Sequence, residues 1–256
     1  MLCLARIIGI ISGKGGTGKT TVSLNLGAIL AHHYRKNITL VDCNVTTSHL
    51  NLYLGMYYCP VTLNKVLRGE NTIEESLHDH FSGMKIIPAS LSLADLEGID
   101  IMDIRNKLKE IFDKNDIILL DSSPGLGREA MATIKASDEL IYVTNPYIPF
   151  IMDIIRCQEV ANELGIKTLG IILNMVHGKK HEMTKHEIEE LTKLKVISTI
   201  PFDTNVHKSL ALKMPISLYK PGTSASRELF KLASHIIGEN YKEESFWLRT
   251  FRRFRS

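Results

Sequence analysis

Gly13-Lys14-Gly15-Gly16-Thr17-Gly18-Lys19-Thr20 gathers glycines, lysines and threonines into one short stretch with a specific chemical use. Small glycines let successive backbone N–H groups turn inward around phosphate oxygens, and a helix N-terminus behind them adds positive potential. Lys19 is spaced to reach the outer phosphates of a nucleoside triphosphate, and the Thr20 hydroxyl to ligate Mg²⁺. Gly13, Gly15 and Gly18 also satisfy the G-x-G-x-x-G spacing of a dinucleotide site, with Asp42 placed where such a site keeps its ribose-binding acid. Lys19 and Thr20 favour the triphosphate, because a dinucleotide has no use for a lysine and a hydroxyl aimed at a terminal phosphate.

Two carboxylates complete the chemistry. Asp121 ends the apolar run Ile117-Ile118-Leu119-Leu120 and precedes Ser122-Ser123-Pro124-Gly125. An acid at the tip of a buried strand beside a phosphate loop holds Mg²⁺, and a Pro-Gly loop after it can sense the γ-phosphate. Asp42 ends the run from Ile38 to Val41 and is followed by Cys43 and Asn44. Thr20, Asp42 and Asp121 are therefore the candidate metal ligands.

These groups need strands to carry them to one edge and a helix to carry Lys19. Short β-rich apolar runs alternate with helical patterns along the chain, which predicts a single doubly wound, mostly parallel sheet flanked by helices. Strands are expected at about Arg6–Ser12, Ile38–Val41, Lys85–Pro88, Asp116–Leu120, Leu140–Thr144, Thr168–Leu173 and Val196–Ile200. Helices are expected at Lys19–His32, Ile101–Phe112, Phe150–Leu164, Thr184–Leu191 and Ala225–Ile237, with His78-Asp79-His80 at a helix end. The organisation reads as one nucleotide-binding domain over residues 1–240 and a tail over 241–256. His181 and His186 are five apart, so a helix would not stack them as metal ligands.

With Lys14 in its loop, the chain resembles the deviant Walker A ATPases, the MinD/ParA group, and within it the archaeal MinD-like type. The likeness extends from Arg6 to about Gly238 and includes the stretch from Asp121 to Met131. It implies a P-loop NTPase fold that binds ATP with Mg²⁺ through Gly13, Lys14, Gly15, Gly16, Thr17, Gly18, Lys19, Thr20 and Thr21. It implies a homodimer sandwiching two ATP molecules, with Lys14 contacting phosphate held by the opposite subunit. Asn174 falls where the family reads the adenine edge, and Pro201 and Asp203 fall in an I-P-x-D segment that lines the base pocket. An Asn amide offers a donor and an acceptor side by side, which suits adenine N6 and N7. In typical members a second aspartate orients the attacking water where Asn44 stands here. Asn44 can accept a hydrogen bond from water but cannot take its proton, so slow hydrolysis is expected.

The formal charge is +3, and Arg249, Arg252, Arg253 and Arg255 alone contribute +4, leaving about −1 for the remainder. A body so nearly neutral makes DNA a weaker expectation than a membrane surface. The four cysteines form no C-x-x-C pair, which argues against a zinc or iron–sulfur site and suits a reducing cytoplasm. On a helical wheel Trp247, Phe251 and Phe254 share one side, flanked by Phe246 and Leu248, opposite Arg249, Arg252 and Arg253. An aromatic stripe opposed by arginines predicts an amphipathic helix lying on an anionic membrane, with about 4 kcal/mol from four arginines. Two tails on a dimer would act together through effective concentration. The expectation is a cytoplasmic ATPase, peripheral on the membrane in its ATP state, that positions an unidentified cargo or regulatory protein in cell division or a polar assembly. The alternatives are a DNA-partition ATPase and an ATP-binding adaptor that scarcely hydrolyses.

Overall fold

The computed structural model describes residues 5–241. The aromatic and arginine residues expected to form the tail helix lie outside the described residues. Eight strands form one sheet: β1 (Arg6–Ile11), β2 (Ile38–Asp42), β3 (His78–Asp79), β4 (Lys85–Ile87), β5 (Ile117–Asp121), β6 (Glu139–Thr144), β7 (Lys167–Val176) and β8 (Val196–Pro201). Their spatial order is β3-β4-β2-β5-β1-β6-β7-β8. Every pairing is parallel except that of β3 with β4.

The helices are α1 (Lys19–His32), α2 (Leu50–Leu54), α3 (Leu63–Leu67), α4 (Ile104–Leu108), α5 (Arg128–Ala136), α6 (Ile148–Glu163), α7 (Lys185–Thr192), α8 (Thr204–Ala211), α9 (Ile216–Tyr219) and α10 (Ser224–Ile237). They cover both sheet faces, and the strand side chains divide accordingly. Ile8, Ile10, Leu40, Ile117 and Leu119 join a core with α1 and α10. Their neighbours Ile7, Val41, Ile118 and Leu120 join a core with α3, α4 and α5. Successive strand residues point to opposite faces, so a strand buried on both must be apolar throughout. That is why β1 and β5 read as unbroken apolar runs. Helix α1 lies between the sheet and α10 and is buried from Val22 to Ala31, which explains its lack of a polar stripe.

Two expectations need correction. The helix foreseen over Ile101–Phe112 is broken into a 3-10 turn (Ile101–Asp103), the single-turn α4, and a second 3-10 stretch (Lys109–Lys114). Its apolar periodicity is real, and Ile104, Leu108 and Ile111 are buried, but tighter turns present them as well as an α-helix would. His78 and Asp79 form an edge strand antiparallel to β4, not a helix end. Burial of His80 just after it holds its imidazole down at about 4. The short helices α2, α3, α8 and α9 had no apolar period long enough to read.

The topology sets the site. From β1 the chain crosses through α1 to β2, leaving a gap that β5 later fills, and then passes to β6 on the far side of β1. The strand order therefore reverses around β1, and ligands of open α/β sheets bind at the carboxyl ends beside such a reversal. The glycine loop, Asp42 and Asp121 all lie there.

Candidate functional site

The loop between β1 and α1 is shaped by its glycines. Gly18 adopts φ +83° at the helix entry, where a side chain would be strained. Gly13 is required for a different reason. A Cβ there would sit 2.3 Å from the Asp153 Cβ of α6, so only glycine lets that helix close on the loop.

Lys19, from the first turn of α1, places Nζ 2.9 Å from Asp121 Oδ1, and both side chains are almost wholly buried. Ser23, one helical turn on, lies with Oγ 3.0 Å from the same carboxylate oxygen. Asp42 and Asp121 are register partners on adjacent strands. Asp42 accepts hydrogen bonds from the Ser48 hydroxyl at 2.7 Å and from the Asn44 backbone N–H at 3.0 Å. Burial, and then the charge of Asp121, nevertheless push the Asp42 carboxyl up to about 7. One lysine thus serves two buried acids, and the cluster is short of positive charge.

That deficit is the test of whether Mg²⁺ suits the site, and the residues fit. Hard oxygen donors from Asp42, Asp121 and the Thr20 hydroxyl would hold it directly or through water, and it would supply the missing charge beside the phosphates. The Thr17 hydroxyl points the same way: it is buried without a hydrogen-bond partner among the described residues, and a bound ligand oxygen would satisfy it.

Above the carboxylates opens a cleft of about 480 Å³, a size suited to a small-molecule ligand. Residues 14–21 line one side, including Thr20 and Thr21. Asn174, Pro201 and Asp203 line the other, with Val206 and Leu210 of α8 also in the lining, as are His49, just before α2, and Tyr53 of α2. The fold thus brings together the loop residues and the expected base-side residues, which are more than 150 positions apart in sequence. The acids Asp42 and Asp121 lie beneath the cleft, at 1% and 2% exposure.

Several side chains have local duties that sequence could not show. Lys14 forms an ion pair with Asp153 at 3.3 Å and lies 5.3 Å from the centre of the Phe150 ring, so α6 holds it at the loop's outer side. Asn44 turns its amide back into its own loop: Nδ2 donates to the Thr47 carbonyl at 2.7 Å, and Oδ1 accepts from the Thr47 hydroxyl at 3.0 Å. Asp203 caps α8, accepting from the Asn205 N–H at 2.9 Å. Burial raises its pKa, but hydrogen bonds from Asn205, Thr223 and Ala225 together outweigh burial and leave it below the ordinary value.

Sequence reasoning missed Ser23, Ser48, Glu129 and Asp153. Ser23 was legible in principle, standing four residues after Lys19 on one helical face. Glu129 accepts from the Thr46 N–H at 2.8 Å and so ties the loop after β2 to the start of α5. No spacing announces that bond, because its partners are 83 residues apart.

Residues 8–216 match the CobQ/CobB/MinD/ParA nucleotide binding domain. An uncharacterized ATP-binding protein of Methanocaldococcus jannaschii is 34% identical over 249 residues, covering 95% of this chain and 94% of its own length. The cell division ATPase MinD of Pyrococcus furiosus superposes with a TM-score of 0.87 at 30% identity, over 92% of this chain and 99% of that one. The septum site-determining protein MinD of Pyrococcus horikoshii, solved with Mg-ADP, gives the same TM-score and identity over 91% of this chain and 96% of its own. A phosphate loop at the strand-order reversal, two register-paired acids beneath it and these likenesses agree, and the chain belongs to the CobQ/CobB/MinD/ParA nucleotide-binding family.

Proposed function

We propose that this chain is a MinD-like switch that binds ATP with Mg²⁺, dimerises face to face, attaches to an anionic membrane surface through its tail, and is released on hydrolysis. Lys19, paired with Asp121 and the cation whose charge also acts on Asp42, carries this reading. A site short of positive charge and lined by a phosphate loop is preorganised for a metal-bound triphosphate. Lys14 supports dimerisation: it stands half exposed at the outer side of the loop. On α6, the helix that holds Lys14, Ile148 and Met152 leave apolar surface in water, as a surface that a second subunit covers does. A partner's phosphate would compete with Asp153 for the Lys14 ammonium. Asn174, Pro201 and Asp203 would form the base side, and the cargo would be a protein of division or polar assembly.

Among the described residues no helix is long and apolar enough to cross a membrane. In this reading attachment belongs to the aromatic and arginine residues after Tyr241. Co-sedimentation with anionic liposomes is expected with ATP but not ADP, and is expected to vanish when the chain is truncated after Tyr241. Sedimentation that ignores nucleotide, or that survives the truncation, would remove the tail from the reading.

A second reading, an ATP-bound adaptor with very slow turnover, is favoured by the Asn44 amide. Its donor and acceptor are both engaged with Thr47, so holding water would require that loop to reopen. Asn44→Asp cannot donate to the Thr47 carbonyl and restores a group that accepts a proton. Phosphate release is expected to rise about a hundredfold, the lower end of what one positioned base contributes. An unchanged rate in a coupled phosphate assay would show that Asn44 does not limit turnover.

A further inference from the structure

The end of β7 carries features that a base-reading asparagine alone does not require. Asn174 is buried, and its Nδ2 donates to the backbone carbonyl of Thr17, inside the phosphate loop, at 2.8 Å. Asn145, buried at the end of β6, donates through its own Nδ2 to the Asn174 carbonyl at 3.0 Å. Two amides thus run in series from the strand ends on one side of β1 to the phosphate loop.

The backbone is distorted to make this contact. The register of β7 against β8 shifts between Leu173 and Val176. Within that irregularity Met175 adopts φ +55°, a left-handed conformation uncommon for a residue with a side chain. Irregularities of this kind re-aim a side chain, and a strained residue persists only where its surroundings hold it. The loop is cut away to receive the amide: a Cβ on Gly18 would stand 2.2 Å from Asn174 Nδ2. Gly18 therefore serves the loop twice, by its left-handed φ and by the clearance it gives Asn174.

From this geometry we infer that Asn145 and Asn174 form a brace that orders the phosphate loop, with Asn145 acting purely as a positioning residue. The inference rests on the nucleotide-binding reading of the cleft and deepens it. Asn174 has a second amide hydrogen and its Oδ1 left for a base, so one side chain links the base side of the cleft to the phosphate side. Asn145 does not line the cleft and gains nothing from a base.

Inorganic tripolyphosphate with Mg²⁺ separates the two roles, because it fills the phosphate loop and has no base. Its dissociation constant, and that of Mg·ATP, would be measured by calorimetry for the wild type, Asn145→Leu and Asn174→Leu, with melting temperatures confirming that each is folded. A brace predicts that Asn145→Leu weakens both ligands by the same factor, about fivefold, the equivalent of one ordinary hydrogen bond. Asn174→Leu should weaken tripolyphosphate at least as much, and ATP further. Tripolyphosphate binding left intact in both variants would overturn the brace and leave Asn174 as a base reader. If Asn145→Leu does not fold, the smaller Asn145→Ser carries the same comparison. A wild-type protein that binds neither ligand would overturn the nucleotide reading itself, a result distinct from loss of the brace alone.

Discussion

Lys19→Met is expected to weaken Mg·ATP binding by at least about a hundredfold, about 3 kcal/mol, and also to lower the stability of the ligand-free protein. Methionine follows the lysine side chain as far as Cε and removes the ammonium group, with its charge and donors. Asp121 is then left at 2% exposure with Ser23 as its donor, beside Asp42 on the adjacent strand. Removing one partner of a buried ion pair costs about 3–5 kcal/mol, because the other charge is left uncompensated. In a chain of this size that lowers the melting temperature by about 10 °C. The loss should be greater at pH 8 than at pH 5, since protonation relieves the repulsion between the two acids, and Mg²⁺ should restore part of it. Differential scanning fluorimetry with calorimetric titration of ATP would test both effects. A variant that melts with the wild type and still binds ATP would remove Lys19 from the centre of the site.

Asp42→Asn should act oppositely on stability and function. The Asp42 carboxyl is pushed up to about 7 in the fold by burial and by the charge of Asp121, from 3.8 in an unfolded chain. The folded state therefore holds this proton more tightly than the unfolded one. The metal-free protein is expected to be most stable, in this respect, below about pH 4, and to lose stability as pH rises through 7. The shift of about three units corresponds to about 4 kcal/mol at full ionisation. Asparagine is nearly isosteric and never ionises. Its oxygen can still accept from the Asn44 N–H, and its amide can donate to the Ser48 hydroxyl. The variant should therefore melt higher than the wild type at pH 8 in the absence of metal, with a flatter pH profile. It should also lose most of the Mg²⁺ dependence of nucleotide binding, having given up one of two acids. Stability held back at a functional site is expected where charge is kept for a ligand. Melting curves from pH 5 to 8.5, with and without Mg·ATP, would decide the matter. A profile parallel to the wild type would mean that Asp42 carries no such burden.

Much of this was legible in sequence for local reasons. The phosphate loop is contiguous, so its chemistry is written in eight adjacent residues. Buried parallel strands must be apolar on both faces, so β1 and β5 declared themselves, and Asp42 and Asp121 were visible where the apolar runs of β2 and β5 stopped. Helix α1 begins at Lys19 and ends at His32, as its sequence implied.

What sequence left open is non-local, because it depends on which surfaces the sheet brings together. The residue types at positions 14, 44, 174 and 203 were evident, but not that Lys14 would pair with Asp153 or Asn44 with Thr47. Nor could spacing reveal that Asn174 would reach back 157 residues to the Thr17 carbonyl. The division follows from what each level encodes. Sequence determined which groups the protein carries and the strand edge at which they stand, since apolar periodicity and contiguous motifs are properties of neighbours along the chain. Tertiary structure decided which of those groups are occupied and which are free, because burial forces each polar atom to find a partner in space, however distant in sequence.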